Sequence, residues 1–191
     1  MSPDVDVDVD VTASGVEYDR LYLDTTVLTS LASADVVGVV PVLFENPRTS
    51  YAVRATLDAD VAAGHDVLER ALEWLRDPLS DDGSDAPGIA VAGSLARQRK
   101  PELYDRLAAD EASVLYQAWA AGVPLATDDD DVRRVADSYG VPVVGSLAIV
   151  ARAVDEGELS AETGDTALDT WRAAGQRVPV DRVTDLLAWD G

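Results

Sequence analysis

The chain has 191 residues, 47% of them hydrophobic, and a formal net charge of −21 from 36 acidic residues against 15 lysines and arginines. That length gives one domain with room for a hydrophobic core, and no apolar run reaches membrane-spanning length, so no membrane partner is expected. Cysteine is absent, which excludes disulfides, and no basic stretch followed by an apolar one opens the chain, so a cytoplasmic location is expected.

A charge of this size repels polyanions in dilute salt. Lys100 is the only lysine, against fourteen arginines. Acid-rich, lysine-poor chains resemble those of salt-in halophiles, and the composition reads as haloarchaeal. At about 1 M salt the Debye length falls to ~3 Å, so the charge reports the solvent more than the ligand.

Residues 1–18 contain the period-two run VDVDVDVDV, expected as a mobile acidic tail. A domain is expected over 19–159, followed by a helical hairpin over 160–191. Leu21–Leu23 reads as a short strand ending on Asp24, and Thr25 or Thr26 is placed to cap the helix that follows. Val36–Val40 is continuously apolar and is expected as a buried parallel strand ended by Pro41. From Arg48 to Arg76 the spacing is helical, broken near Gly64. The lone histidine, His65, is expected on the surface. Asp77–Gly88 is a loop by composition, and Ile89–Ala92 a further strand.

Arg97, Arg99, Lys100 and Arg106 form the most basic stretch, read equally well as a solubility or partner surface and as a phosphate contact. The segment from Ala109 gives a helix, a short strand at Val123–Thr127 that stops at four aspartates, a second helix, a strand at Val141–Val144 and a third helix after Gly145. With Leu21–Leu23, Val36–Val40 and Ile89–Ala92 this makes about five strands. Their alternation with helices predicts an α/β fold with a central parallel sheet. Trp74, Trp119 and Trp171 stand at helical spacing and are expected in the core or an interface. The apolar face of the last hairpin (Ala167, Leu168, Trp171) is expected to pack on the body or on a second copy, which makes a homodimer a candidate.

In parallel sheets ligands sit outside the carboxyl ends of the strands. Asp24, Glu111, and Asp128 with Asp129 each lie at an end of an apolar segment, where they can converge. Gathered carboxylates repel and call for a cation. With no cysteine and one histidine, hard oxygen donors point to Mg²⁺ or Mn²⁺. Asp130 and Asp131 need no more than a helix start.

At these residues the chain resembles the PIN-domain family, in particular an archaeal and bacterial branch with a T-D-D-x-x-x-R-R-x-A signature. Here that signature reads Thr127-Asp128-Asp129, Arg133-Arg134 and Ala136, with Tyr139-Gly140-Val141-Pro142 and Gly145-Ser146-Leu147 after it. The family's D-T-[ST]-x-L opening is Asp24-Thr25-Thr26-Val27-Leu28, and its G-E helix start corresponds to Asp110-Glu111. The likeness is close over 109–188, good over 21–31 and poor between. It implies a three-layer α/β/α sandwich and metal-dependent cleavage of single-stranded RNA, with kinship to ribonucleases of toxin–antitoxin pairs and an antitoxin as candidate partner. It further implies Asp24, Glu111, Asp128 and Asp129 as catalytic and metal-binding residues, with Thr26 behind them. The family's remaining acid follows its second strand, and Glu45 is the nearest carboxylate to that place. Two rival readings stand beside this one: a PIN-like module that binds RNA or protein without cutting, and a haloacid-dehalogenase-like phosphatase using Asp24.

Overall fold

The computed structural model describes residues 20–78 and 87–187. The expected acidic tail at 1–18, most of the loop within 77–88 and the last residues of the C-terminal hairpin therefore lie outside the described residues. Among the described residues six strands form one sheet: β1 (Tyr22–Leu23), β2 (Arg48–Ser50), β3 (Leu75–Arg76), β4 (Ile89–Ala92), β5 (Leu125–Ala126) and β6 (Val143–Val144). Their order is β3-β4-β2-β1-β5-β6 and every pairing is parallel. Parallel neighbours need crossovers, and helices supply them: α1 (Thr25–Ser33), α2 (Val40–Leu43), α3 (Tyr51–Ala62), α4 (Glu69–Leu72), α5 (Ala96–Arg99), α6 (Ala109–Ala121), α7 (Asp130–Ser138), α8 (Ser146–Asp155), α9 (Ala161–Ala173) and α10 (Val183–Leu187).

The strand order reverses direction at β1. From β1 the chain moves to β2, then to β3 at the edge and back to β4 between them, all on one side, while β5 and β6 fall on the other. Such a reversal leaves a crevice at the carboxyl ends of the two strands that flank it, here β1 and β5. Leu21, Leu23 and Leu125 are buried at that centre, as strands covered on both faces require. Thr49 adds a side-chain tie, its hydroxyl donating to the Leu23 carbonyl at 2.7 Å.

Four of the five expected strands are present. Val36–Val40 is not one of them: it is a 3-10 turn at Val37–Val39 running into α2. A short apolar run buried on all sides has no period that separates strand from helix. The second strand is instead Arg48–Ser50, whose Thr49 and Ser50 are buried, and Leu75–Arg76 adds a sixth. Both stand inside the stretch expected to be helical. The break near Gly64 is present, with α3 ending at Ala62 and Gly64 at φ 100°. His65 is exposed.

At the C-terminal end, Ser160 caps α9 by accepting from the Thr163 N–H at 3.0 Å. Ala167, Leu168 and Trp171 are buried within the single chain, where α9 meets α1 and α8. A Cβ on Gly164 would stand 2.9 Å from Val183 and 3.0 Å from Val154. The bare glycine is what allows α9 to approach both neighbours. Among the described residues no single helix is long and apolar enough to cross a membrane.

Candidate active site

Asp24 ends β1 and caps α1 itself, accepting from the Val27 N–H at 3.0 Å. The expectation that Thr25 or Thr26 caps this helix is thus corrected. Both threonines lie one step further on, inside the first turn, where their hydroxyls reach across to other elements. Thr26 donates to Asp24 Oδ1 at 2.8 Å and accepts from the Asp128 N–H at 2.9 Å. Thr127 does the same from β5: its hydroxyl donates to Asp24 Oδ2 and accepts from the Asp129 N–H at 3.1 Å. Each hydroxyl therefore has one partner on each strand end. Asp24, 1% exposed, is the hub that sets both.

Burial is the main cause that pushes the Asp24 carboxyl up to about 6, with the Asp128 charge adding to it. The hydrogen bonds from Thr127, Val27 and Thr26 oppose the rise. Asp128 is less buried and turns its two oxygens apart. Oδ2 accepts from the Ser30 hydroxyl at 2.8 Å and Oδ1 from the Ser146 N–H at 2.8 Å. Ser30 is in turn held by the C-terminal region: Gln176 Nε2 donates to its hydroxyl at 3.0 Å and Trp171 Nε1 to its carbonyl at 2.8 Å. Asp129 caps α7, accepting from the N–H groups of Asp131 and Val132 at 2.8 and 2.9 Å.

The third contributor is the start of α6. Thr25 donates to Asp110 Oδ2 at 2.7 Å, bringing that end of α6 against α1. Glu111 reaches back to the Ala108 N–H at 2.8 Å, half of a capping box. Its carboxyl is raised by desolvation first, then by the charges of Asp129, Asp110 and Asp131, against the lowering effect of the Ala108 N–H. Glu111 thus lies in the field of the aspartates that follow β5. Asp110 is the acid that sequence reasoning misses as a site residue. Its one signal is its place beside Glu111 in the helix-start motif.

Arg133 supplies a positive group. It donates to the Thr127 carbonyl at 2.8 Å, and a Cβ on Gly145 would stand 2.7 Å from its Nη2 and 3.2 Å from Asp128 Oδ1. Gly145 therefore leaves the notch in which Arg133 lies beside Asp128. Asp130 and Asp131 are exposed in the first turn of α7. Glu45 is not at this edge. The second strand is Arg48–Ser50, so Glu45 precedes it and lies, exposed, toward the amino edge of the sheet. The expectation for Glu45 depends on Val36–Val40 being the second strand, and falls with it.

The donor set is chemically suited to a hard divalent cation, being oxygen alone. Its arrangement is not a cage: both oxygens of Asp24 and both of Asp128 hold internal donors. Among the described residues no group of three or more His, Cys, Asp or Glu side chains is placed to hold a metal ion. The residues as they stand do not fit an ion, and no chemical step is assigned to one.

Fold and site define a parallel α/β domain with an acidic crevice at its topological switch point. The sequence profile of the PIN domain matches residues 21–189, so the chain belongs to the PIN-domain family. Proteins of this family generally use divalent metal ions. Among solved structures, a PilT N-terminus domain protein from the hyperthermophilic archaeon Sulfolobus solfataricus P2 is similar at 14% identity and a TM-score of 0.45, covering 71% of this chain and 93% of its own. No curated protein matches the sequence.

Proposed function

We propose that this PIN-domain protein is a ribonuclease that cuts single-stranded RNA at the crevice between β1 and β5. The observation that supports this best is the meeting of carboxylates from three elements far apart in sequence: Asp24 after β1, Asp110 and Glu111 at the start of α6, and Asp128 and Asp129 after β5. Gathering like charges at a partly desolvated edge is unfavourable, and a purely structural edge gains nothing from it. Asp24 is too buried to touch a substrate and acts as a positioning residue through Thr26 and Thr127. The partly exposed Asp128, Asp129 and Glu111 are the carboxylates a phosphodiester can reach, and Arg133 is a cation beside them. Mg²⁺ or Mn²⁺ is the candidate cofactor. The ion would be held by Asp128, Asp129 and Glu111, once these carboxylates shift from the positions in which they hold internal donors.

The test is cleavage of a labelled single-stranded RNA with Mn²⁺ in molar KCl, where repulsion by the −21 chain is screened. Wild type is expected to cut, with Glu111→Gln and Asp128→Asn each slowed about a hundredfold or more through misplacement of reacting groups. The internal hydrogen bonds that engage every oxygen of Asp24 and Asp128 favour a second reading, a module that binds RNA without cutting. Wild type that retains RNA but leaves it intact with either ion decides for that reading. The finer assignment, toxin of a toxin–antitoxin pair, is tested by whether the product of an adjacent small reading frame blocks cleavage.

A further inference from the structure

The stretch from Ser94 to Arg106 carries four cations against two carboxylates, in a chain with 36 acids and 15 bases. Its cations are paired with rings more than with acids. Arg97 lies over the Tyr104 ring at 4.4 Å. Lys100, the chain's one lysine, lies over Trp119 at 4.7 Å and Tyr139 at 5.1 Å, and also meets Glu102 at 3.5 Å. Arg97 and Arg99 are exposed and have no ion-pair partner among the described residues. Where carboxylates outnumber cations more than twofold, two exposed guanidinium groups kept clear of them are available to an external anion.

Trp119 is 41% exposed, a large ring partly open to solvent beside Lys100. It stands near the end of α6, whose first turn holds Asp110 and Glu111. Eight residues of helix separate Glu111 from Trp119, about 12 Å at 1.5 Å per residue. Asp129 and Tyr139 cap the two ends of α7, ten residues apart. Helices α6 and α7 thus both begin at the acidic crevice and end at the ring cluster.

We infer that Arg97, Arg99, Lys100, Trp119 and Tyr139 form a docking track for single-stranded RNA that leads along α6 and α7 to the crevice. This rests on the ribonuclease reading for the choice of RNA. Exposed guanidinium groups take phosphates, and the part of the Trp119 indole left uncovered by Lys100 and Tyr116 offers a stacking surface to a base. Stacking is insensitive to salt, whereas the attraction of phosphates weakens as salt rises. The pairing of the two is what a strand needs to settle on an acidic protein in strong brine.

The test is fluorescence anisotropy of a labelled oligouridylate with EDTA present, so that binding is read without cleavage, over a series of KCl concentrations. Trp119→Ala is expected to weaken binding about tenfold at every salt concentration, and Trp119→Phe to restore most of it. The double variant Arg97→Gln/Arg99→Gln is expected to lower the salt slope by about 0.7 for each phosphate it no longer neutralises. Arg182→Gln, far along the chain near α10, serves as the control. Thermal melting checks that each variant folds, and the exposed Trp119→Phe keeps the test open if Trp119→Ala does not. Wild-type affinity in both the tryptophan and the arginine variants overturns the inference. So does equal binding of poly-glutamate, which marks the face as a contact for acidic proteins. Track variants that bind as wild type while the protein cuts RNA refute the track alone. Binding that depends on the track without any cleavage refutes the ribonuclease alone.

Discussion

Thr127 gives its hydroxyl hydrogen to Asp24, 103 residues earlier in the chain, and takes the Asp129 N–H in return. One hydroxyl thereby fixes the buried carboxylate of β1 to the backbone turn that follows β5. Thr127→Val, close in shape, leaves both groups without that partner. It is expected to lower stability by about 1–3 kcal/mol, read from urea denaturation, while Thr127→Ser keeps most of the wild-type value. Equal midpoints for the valine and serine variants would count against this role.

Asp24 also sets a pH dependence. Its folded-state pKa, about 6, lies above its ordinary value of 3.8. Between these values the folded protein holds a proton that the unfolded chain has lost. Its contribution is therefore fully present below about pH 4 and is lost as pH rises through 6. The difference amounts to about 3 kcal/mol at ~1.4 kcal/mol per unit. Glu111, raised in the same direction, acts with the same sign. Asp24→Asn should flatten the stability profile between pH 4 and 7. A slope there as steep as that of wild type would assign the effect to another group.

Ser30 links the C-terminal region to the crevice, taking the Gln176 amide and giving its own hydrogen to Asp128. Ser30→Ala leaves both neighbours one partner short and is expected to cost about 1–3 kcal/mol. Gln176 is exposed, so Gln176→Ala alone should cost under about 1 kcal/mol. Once Ser30 is alanine, removing Gln176 should add nothing. A double-mutant cycle measures this, and additive losses would show that the two bonds act separately.

Trp171 is the largest fully buried side chain among the described residues. Trp171→Ala should cost about 3–5 kcal/mol. Trp171→Phe keeps most of the volume and gives up the hydrogen bond to the Ser30 carbonyl. That carbonyl still accepts from the Ser33 hydroxyl at 2.7 Å, so the phenylalanine variant should lose only about 1 kcal/mol. Calorimetric melting separates the two outcomes.

The proposed divalent ion is tested at the same edge. If Mn²⁺ binds there, it should stabilise the protein by about 2.7 kcal/mol at a hundred times its dissociation constant, and Asp128→Asn should blunt the gain. An identical rise in melting temperature in the variant points to diffuse binding on the acidic surface.

Much of this fold is legible in the sequence where short signals are also strong ones. Leu21–Asp24 and Val123–Asp129 pair an apolar segment with acid at its end, a pattern that belongs at a sheet's carboxyl edge. Ile89–Ala92 alternates buried and half-buried side chains as a strand should. The failures have one cause. A strand of two or three residues carries too little pattern to be seen, so Arg48–Ser50 and Leu75–Arg76 vanish into helical spacing, and the apolar Val36–Val40 takes the place of the former. The misplacing of Glu45 follows from that exchange. Thr26 is legible through the family resemblance, but the links of Thr127 and Ser30 are hidden for another reason: they look like ordinary strand-end and helix residues until the fold brings their partners together.

The ties that complete the crevice join residues far apart in time as well as in space. Thr25 waits for Asp110, 85 residues on, and Ser30 for Trp171, 141 residues on. With no described strand paired to its neighbour by a hairpin, no part of the sheet closes locally. At roughly 10 residues per second of synthesis, Asp24 is added to the chain about ten seconds before Thr127. On the ribonuclease reading proposed above, this order keeps the crevice unformed for most of the time the chain is still bound to its own message.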